Sequence, residues 1–275
     1  MPSWSAVADI AASARAGDTV ARMISFVQAM EEATSTDLVV FRHGVALFNS
    51  DFPRSWAHNF LRVEPAGRAP SAEELAAEAD RLQGDRGLAH RQIVVRDEAL
   101  GGRLEPAFRD RGWLVDRLVY MIHRRPSDRV ADTSIVAEVS FDEAKPALEA
   151  FVRGSGYGDS DETVRQLVER TLLTARASNV RHFAVVVEGR IASTCQLISG
   201  NGTAQIEDVS TFEEFRNRGF ARATVQRALD VARADDYDPI FLEADRDDWP
   251  RRLYERMGFD PVAHTFSFTR PPDAS

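Results

Sequence analysis

The chain has 275 residues, 44% apolar and 28% charged, with 43 acidic against 34 basic side chains and a formal net charge of −9. That balance fills a globular core, and its acidity argues against a nucleic-acid-binding face. Lys145 is the only lysine and Cys195 the only cysteine, which excludes an intramolecular disulfide and a Cys-rich zinc site. The first residues lack a basic segment, Asp9 interrupts the apolar positions, and no apolar run approaches the 18 residues of a membrane span. The expectation is a soluble, cytoplasmic protein, monomeric or homodimeric, without metal, nucleic-acid or membrane partners. At roughly 100–200 residues per domain, the length predicts two domains.

In chain order, the first half offers a helical pattern over 71–82, a strand at 92–95, and the segment Ala107-Phe108-Arg109-Asp110-Arg111-Gly112-Trp113 before an alternating stretch through Met121. Arg124-Arg125-Pro126-Ser127-Asp128 is a polar, Pro-containing joint. The second half reads as a strand at 134–140, helices over 142–154 and 161–177, and strands at 181–187 and 190–199 around a Glu188-Gly189 hairpin signal. A strand at 203–211, a helix over 218–234, a strand at 240–244, a helix over 250–257 and a strand at 262–269 complete it. An α+β fold around a mixed sheet follows.

The two halves repeat. Gly258 in Leu253-Tyr254-Glu255-Arg256-Met257-Gly258-Phe259 stands 146 positions after Gly112, and the same offset pairs the 92–95 strand with 238–241 and the 71–82 helix with 217–228. The predicted division is 1–125, a linker at 126–133, and 134–275.

Arg216-Asn217-Arg218-Gly219-Phe220-Ala221 joins a strand to a helix, and a helix N-terminus with exposed N–H groups attracts phosphate oxygens. With the strand Ile206-Glu207-Asp208-Val209-Ser210-Thr211 before it and Leu253–Phe259 after it, this segment resembles the GCN5-related N-acetyltransferases (GNAT), with their (Q/R)-x-x-G-x-(G/A) loop and L-Y-x-x-x-G-F motif. The resemblance covers about residues 134–270. It implies two tandem folds of this type, each a mixed, mostly antiparallel sheet flanked by helices, and acetyl transfer from acetyl-CoA to a primary amine in a ternary complex.

The resemblance also implies roles. Val209, Ser210 and Thr211 would pair with the pantetheine arm, and the amides of Arg216, Asn217, Arg218, Gly219, Phe220, Ala221 and Arg222 would hold the pyrophosphate. An amide near Val209 would stabilise the oxyanion, and Tyr254 would protonate the leaving thiolate. Glu207 and Asp208 lie on opposite strand faces, so one of them is the expected base, with Glu207 favoured by its parity with Val209 and Glu243 a third candidate. Asp247 and Pro250 stand where many members have asparagine and alanine; Asp247 is expected to cap the following helix and to reach the cofactor.

At offset 146 Phe108 falls on Tyr254, Leu61 on Glu207, Arg62 on Asp208 and Glu73 on Gly219, so the first copy is expected to be degenerate and to bind no CoA. Trp56, His58, Asn59 and Phe60 are expected to line a shared cleft. Residues 1–130 carry 17 basic and 18 acidic side chains and the remainder 17 and 25, which with Asp159, Asp161 and Glu162 suggests an acidic rim for a cationic acceptor. Two other readings are a mycothiol-synthase-like acetyltransferase and a CoA-binding sensor without turnover.

Overall fold

The computed structural model describes residues 4–272 except 65, 66 and 157, with side chains from residue 17 onward. The first half comprises α1 (Trp4–Ala33), β1 (Asp37–Phe41), β2 (Gly44–Phe48), β3 (Phe60–Val63), α2 (Ala72–Gly84), β4 (Arg91–Val95), α3 (Glu98–Asp110) and β5 (Leu114–His123). The second comprises β6 (Val136–Val139), α4 (Phe141–Gly154), α5 (Asp161–Glu169), α6 (Thr171–Ala177), β7 (Asn179–Val187), β8 (Arg190–Gly200), β9 (Thr203–Thr211), α7 (Phe220–Ala234), β10 (Ile240–Asp245), α8 (Trp249–Arg256) and β11 (Phe259–Arg270). The order β1-β2-β3-α2-β4-α3-β5 recurs as β7-β8-β9-α7-β10-α8-β11.

Local chemistry accounts for many of the boundaries. Ser71 with Glu74, and Ser140 with Glu143, form capping boxes at the starts of α2 and α4. Asp97 caps α3. The predicted single helix over 161–177 is broken at Arg170, where a Leu173 N–H to Arg170 C=O bond of 2.9 Å tightens the chain between α5 and α6.

In place of two sheets side by side there is one, in the order β1-β2-β3-β4-β11-β5-β10-β9-β8-β7-β6. The last strands of the halves are exchanged. β11 lies between β4 and β5, and β5 lies between β11 and β10, with the antiparallel β5–β11 pair running from Leu114↔Thr269 to His123↔Phe259. Only β3–β4 and β9–β10 are parallel.

The cores follow the exchange. Phe266 and Phe268 of β11 belong to the core under α2 and α3, where Phe268 stacks on Phe108 at 4.3 Å. Val119 and Met121 of β5 belong to the core under α7 and α8. On the opposite face Met23, Phe26 and Val27 of α1 cover Tyr120, Ile122 and Phe241, sealing the centre of the sheet.

The constant 146 offset does not survive residue by residue. It holds for Gly112 and Gly258, both with positive φ (75° and 92°), and for Phe108 and Tyr254. It fails in the strands, because Leu61 packs in the core under α2 whereas Glu207 faces α1. Arg62, which also faces α1, occupies the place equivalent to Glu207.

Gly101 of α3 sits against β11: a Cβ there would lie 2.2 Å from the Phe266 ring. Gly101→Ala is therefore expected to destabilise the protein by about 1–3 kcal/mol through overpacking. Urea denaturation measures this, and wild-type stability would show that the α3–β11 contact is not tight.

Candidate active site

The parallel pairing of β9 with β10 runs Ala204↔Ile240, Gln205↔Phe241 and Ile206↔Leu242, and stops there. Beyond it β9 stays with β8 while Glu243, Ala244 and Asp245 of β10 pair with Tyr120, Val119 and Leu118 of β5. The two strands diverge into a gap. At its apex the β8–β9 register passes from Gln196↔Glu207 to Thr194↔Ser210, so Asp208 and Val209 oppose Cys195 in a bulge. Asp208 carries φ = 50°. The bulge breaks the strand alternation on which the parity of Glu207 and Val209 relied. Ser210 and Thr211 are tied back to β8, with the Ser193 hydroxyl donating to the Ser210 carbonyl at 2.8 Å.

At the outer end a short 3-10 turn, Glu213–Phe215, leads into the loop. Asn217 (φ = 63°) and Gly219 (φ = 83°) take left-handed conformations that turn the chain sharply into α7. The first bond within α7 is Ala223 N–H to the Gly219 carbonyl, leaving the amides of Phe220, Ala221 and Arg222 at an open helix N-terminus. Arg216 and Arg218 are exposed. Arg222 is different: its side chain is buried and donates to Asp128 at 2.6 Å, so only its backbone faces the loop opening.

Tyr254 on α8 is 7% exposed and packs edge-on to Phe259. Burial first, then Cys195 and Glu207, raise its pKa above the usual phenol value. Asp248, rather than Asp247, caps α8, accepting from the Trp249 N–H at 2.6 Å. Asp247 is exposed and lies 3.7 Å from Arg117 of β5. Its expected capping role is therefore taken by its neighbour.

Three carboxylates meet at the mouth of the gap. Burial, then Asp208 and Glu243, push Glu207 up to about 8, and Gln205 donates to it. Burial pushes Glu243 up to about 7 against the opposing pull of Arg96. Asp208 is exposed and accepts from Gln196 at 2.8 Å.

Behind them lies a group that sequence reasoning missed. Arg62 (side chain 5% exposed) bridges Glu31 at 3.1 Å, Glu32 at 2.7 Å and Glu64 at 2.8 Å. Arg96 also pairs with Glu31, and the Tyr120 hydroxyl interacts with Arg96 and Glu243. These residues come from α1, β3, β5 and the positions just after β3 and β4, too far apart in sequence for a local motif to reveal them.

Two cavities flank the bulge. One of about 470 Å³ follows β9 outward to Arg216 under α4 and α5. The other, about 210 Å³, lies between the halves, walled by Val27, Met30 and Glu31 of α1, His58, and Glu207. Arg170, Thr171, Gln196 and Asp208 line both. Of the four residues expected at a shared cleft, His58 reaches it. Asn59 and Phe60 are buried within the first half, and Trp56 stacks on His90 at 5.8 Å. The expected acidic rim is spent on local bonds: Asp161 pairs with Arg153, Glu162 with Arg165, and Asp159 interacts with Thr163. None of these three lines either cavity.

Among the described residues no group of three or more His, Cys, Asp or Glu side chains is placed to hold a metal ion. No described helix is long and apolar enough to cross a membrane.

Residues 145–259 match the model of the acetyltransferase (GNAT) family. No curated protein sequence matches the chain. Among solved structures, a conserved protein of unknown function from Staphylococcus epidermidis is similar at 14% identity over 86% of this chain and 94% of that one, with a TM-score of 0.65. A GCN5-related N-acetyltransferase from Kribbella flavida is 17% identical, covering 93% and 95% of the two chains, at 0.56. A tandem GNAT protein from the clavulanic acid biosynthesis pathway is 14% identical over 78% and 75%, at 0.51. At these identities the likeness concerns the fold. With the splayed strands, the loop and the matching family model together, the segment 145–259 belongs to the acetyltransferase (GNAT) family.

Proposed function

We propose that the protein transfers an acetyl group from acetyl-CoA to a primary amine, with the reacting residues in 134–275, and that residues 1–125 form a degenerate copy that binds no CoA and completes the site. The observation that carries this reading is the gap between β9 and β10, with the open N-terminus of α7 at one end and Tyr254 on the helix after β10. The free edge of Val209–Thr211 suits the pantetheine arm. The amides from Asn217 to Arg222 suit its pyrophosphate, since a helix N-terminus favours negative charge. Acetyl-CoA, when bound, supplies the activated thioester carbonyl.

Glu207 removes one proton from the substrate ammonium. The amine nitrogen then forms the C–N bond as C–S breaks, while the amide of Val209, in the bulge, donates to the charge developing on the carbonyl oxygen. Tyr254 donates its proton to the departing sulfur and recovers the second amine proton through solvent. A phenol kept protonated by burial suits an acid, and a carboxylate raised to about 8 suits a base working near neutral pH.

Thiol release from acetyl-CoA, followed over a panel of amines, tests the reading. Tyr254→Phe is expected to lower turnover by about 10²- to 10⁴-fold with nearly unchanged acetyl-CoA affinity; unchanged turnover removes Tyr254 from the chemistry. Calorimetry is expected to find one CoA site per chain, and two sites would end the idea of a degenerate first copy.

The pH dependence carries a sign. Glu207 must be ionised to act, so kcat/KM is expected to rise with pH and level off above about 8. Because its folded-state pKa lies above the unfolded value of 4.5, the folded state binds the extra proton, and stability is lost as pH rises from about 4.5 to about 8. Glu207→Gln is expected to flatten that decline in urea titrations between pH 5 and 8; a slope equal to wild type would place the titration elsewhere.

A further inference from the structure

Arg170 is the residue that the proposed reaction leaves unexplained. It forms the joint between α5 and α6, is half-buried, and lines both cavities beside Asp208 and Gln196. Its Nε donates to the Leu167 carbonyl at 3.0 Å, and no carboxylate of a described residue pairs with its guanidinium. Arg62 and Arg96 behind the smaller cavity are committed to Glu31 and Arg54 to Thr163 at 3.1 Å, while Arg216, at the outer end of the larger cavity, is exposed. A half-buried guanidinium that faces a cavity with no carboxylate paired to it is suited to an incoming anion.

The charges around it are arranged in two poles. Glu207 and Asp208 form the acidic pole at the bulge. Glu31, the other carboxylate of the smaller cavity, is offset by two guanidiniums. His58 stands near Arg170; burial and then that arginine push its pKa down to about 3, so it is neutral. Its Nδ1 is engaged with Ser55 at 2.9 Å. Arg170 acts electrostatically on Glu207 as well, so the cationic and acidic poles are neighbours. Val27, Met30 and Ile198 supply an apolar wall beyond them.

We infer that the acceptor is a free amino acid, whose carboxylate is held by Arg170 while its ammonium faces Glu207 and its side chain lies against the apolar wall. This rests on the acetyl-transfer reading and narrows its substrate class. Arg170 here sets specificity and positions the amine; it takes no part in proton transfer. A cavity of about 210 Å³ is of a scale suited to a small molecule such as a single amino acid.

The test compares free apolar amino acids with their carboxamides, which keep the amine and lose the negative charge. Thiol release and calorimetric binding to the CoA-loaded protein are measured for wild type and for Arg170→Met. The acids are expected to exceed the amides by about 10- to 150-fold in kcat/KM, the range of a hydrogen bond to a charged group. Arg170→Met is expected to abolish that preference through a raised KM for the acids, with acetyl-CoA affinity unchanged.

Equal use of acids and amides would overturn the inference while leaving acetyl transfer intact. So would loss of acetyl-CoA affinity in Arg170→Met, which would assign the arginine to the nucleotide. Binding of amino acids without any thiol release would instead overturn the acetyl-transfer reading. Absence of amino-acid binding would overturn the inference whatever the turnover with other amines.

Discussion

The antiparallel pairing of β5 with β11 is the constraint on which the rest of the molecule depends. Each is the last strand of its half, and each completes the core of the other half: Phe266 and Phe268 under α2 and α3, Val119 and Met121 under α7 and α8. The exchange also shapes the site. Because β5 pairs with the far edge of β10 from Phe241 to Asp245, β10 stays in the sheet past the point where it leaves β9. A gap in a sheet exposes unpaired backbone on both sides. Here β5 and β8 hold the outer edges of β10 and β9, and past Leu242 and Ile206 the two strands present their facing groups to the opening.

Charge is organised on the same joint. Glu31 holds Arg62 and Arg96 together below α1, and Tyr120 links Arg96 to Glu243 across the exchanged strands. Buried ion pairs recover their desolvation cost only when several partners share it, and Arg62 has three carboxylates. The outcome is a low-dielectric polar floor in which Glu207 and Glu243 retain protons nearer to neutrality than free carboxylates do. The first half thereby affects the electrostatics of residues it is far from in sequence.

What was legible in the sequence was local. The loop glycine, the tyrosine motif, the strand at 203–211 and the helix patterns other than the one over 161–177 depend on neighbours within a few residues, and the structure places them close to where they were read. What was not legible depended on a third dimension or on one extra residue. The bulge at Asp208 adds a residue that alternation cannot see, and it makes the parity of Glu207 with Val209 accidental. A rigid 146 offset set Leu61 opposite Glu207, although the two side chains leave opposite faces of the sheet. The cap sits one position on, at Asp248, while Asp247 lies 3.7 Å from Arg117. Strand exchange has no local signature, since β5 and β11 would show the same alternation in either arrangement.

Gly258 gathers these relations at one atom. A Cβ there would stand 1.9 Å from the Arg125 carbonyl, and its own carbonyl accepts from Arg124 and Arg125. The residue that turns α8 into β11 is therefore also the seat on which the chain leaving β5 rests. In evolutionary terms the two halves behave as an interlocked dimer written in a single polypeptide. Cutting the chain between them would leave β10 and β11 without the strand that joins them and Gly258 without the backbone it is built against.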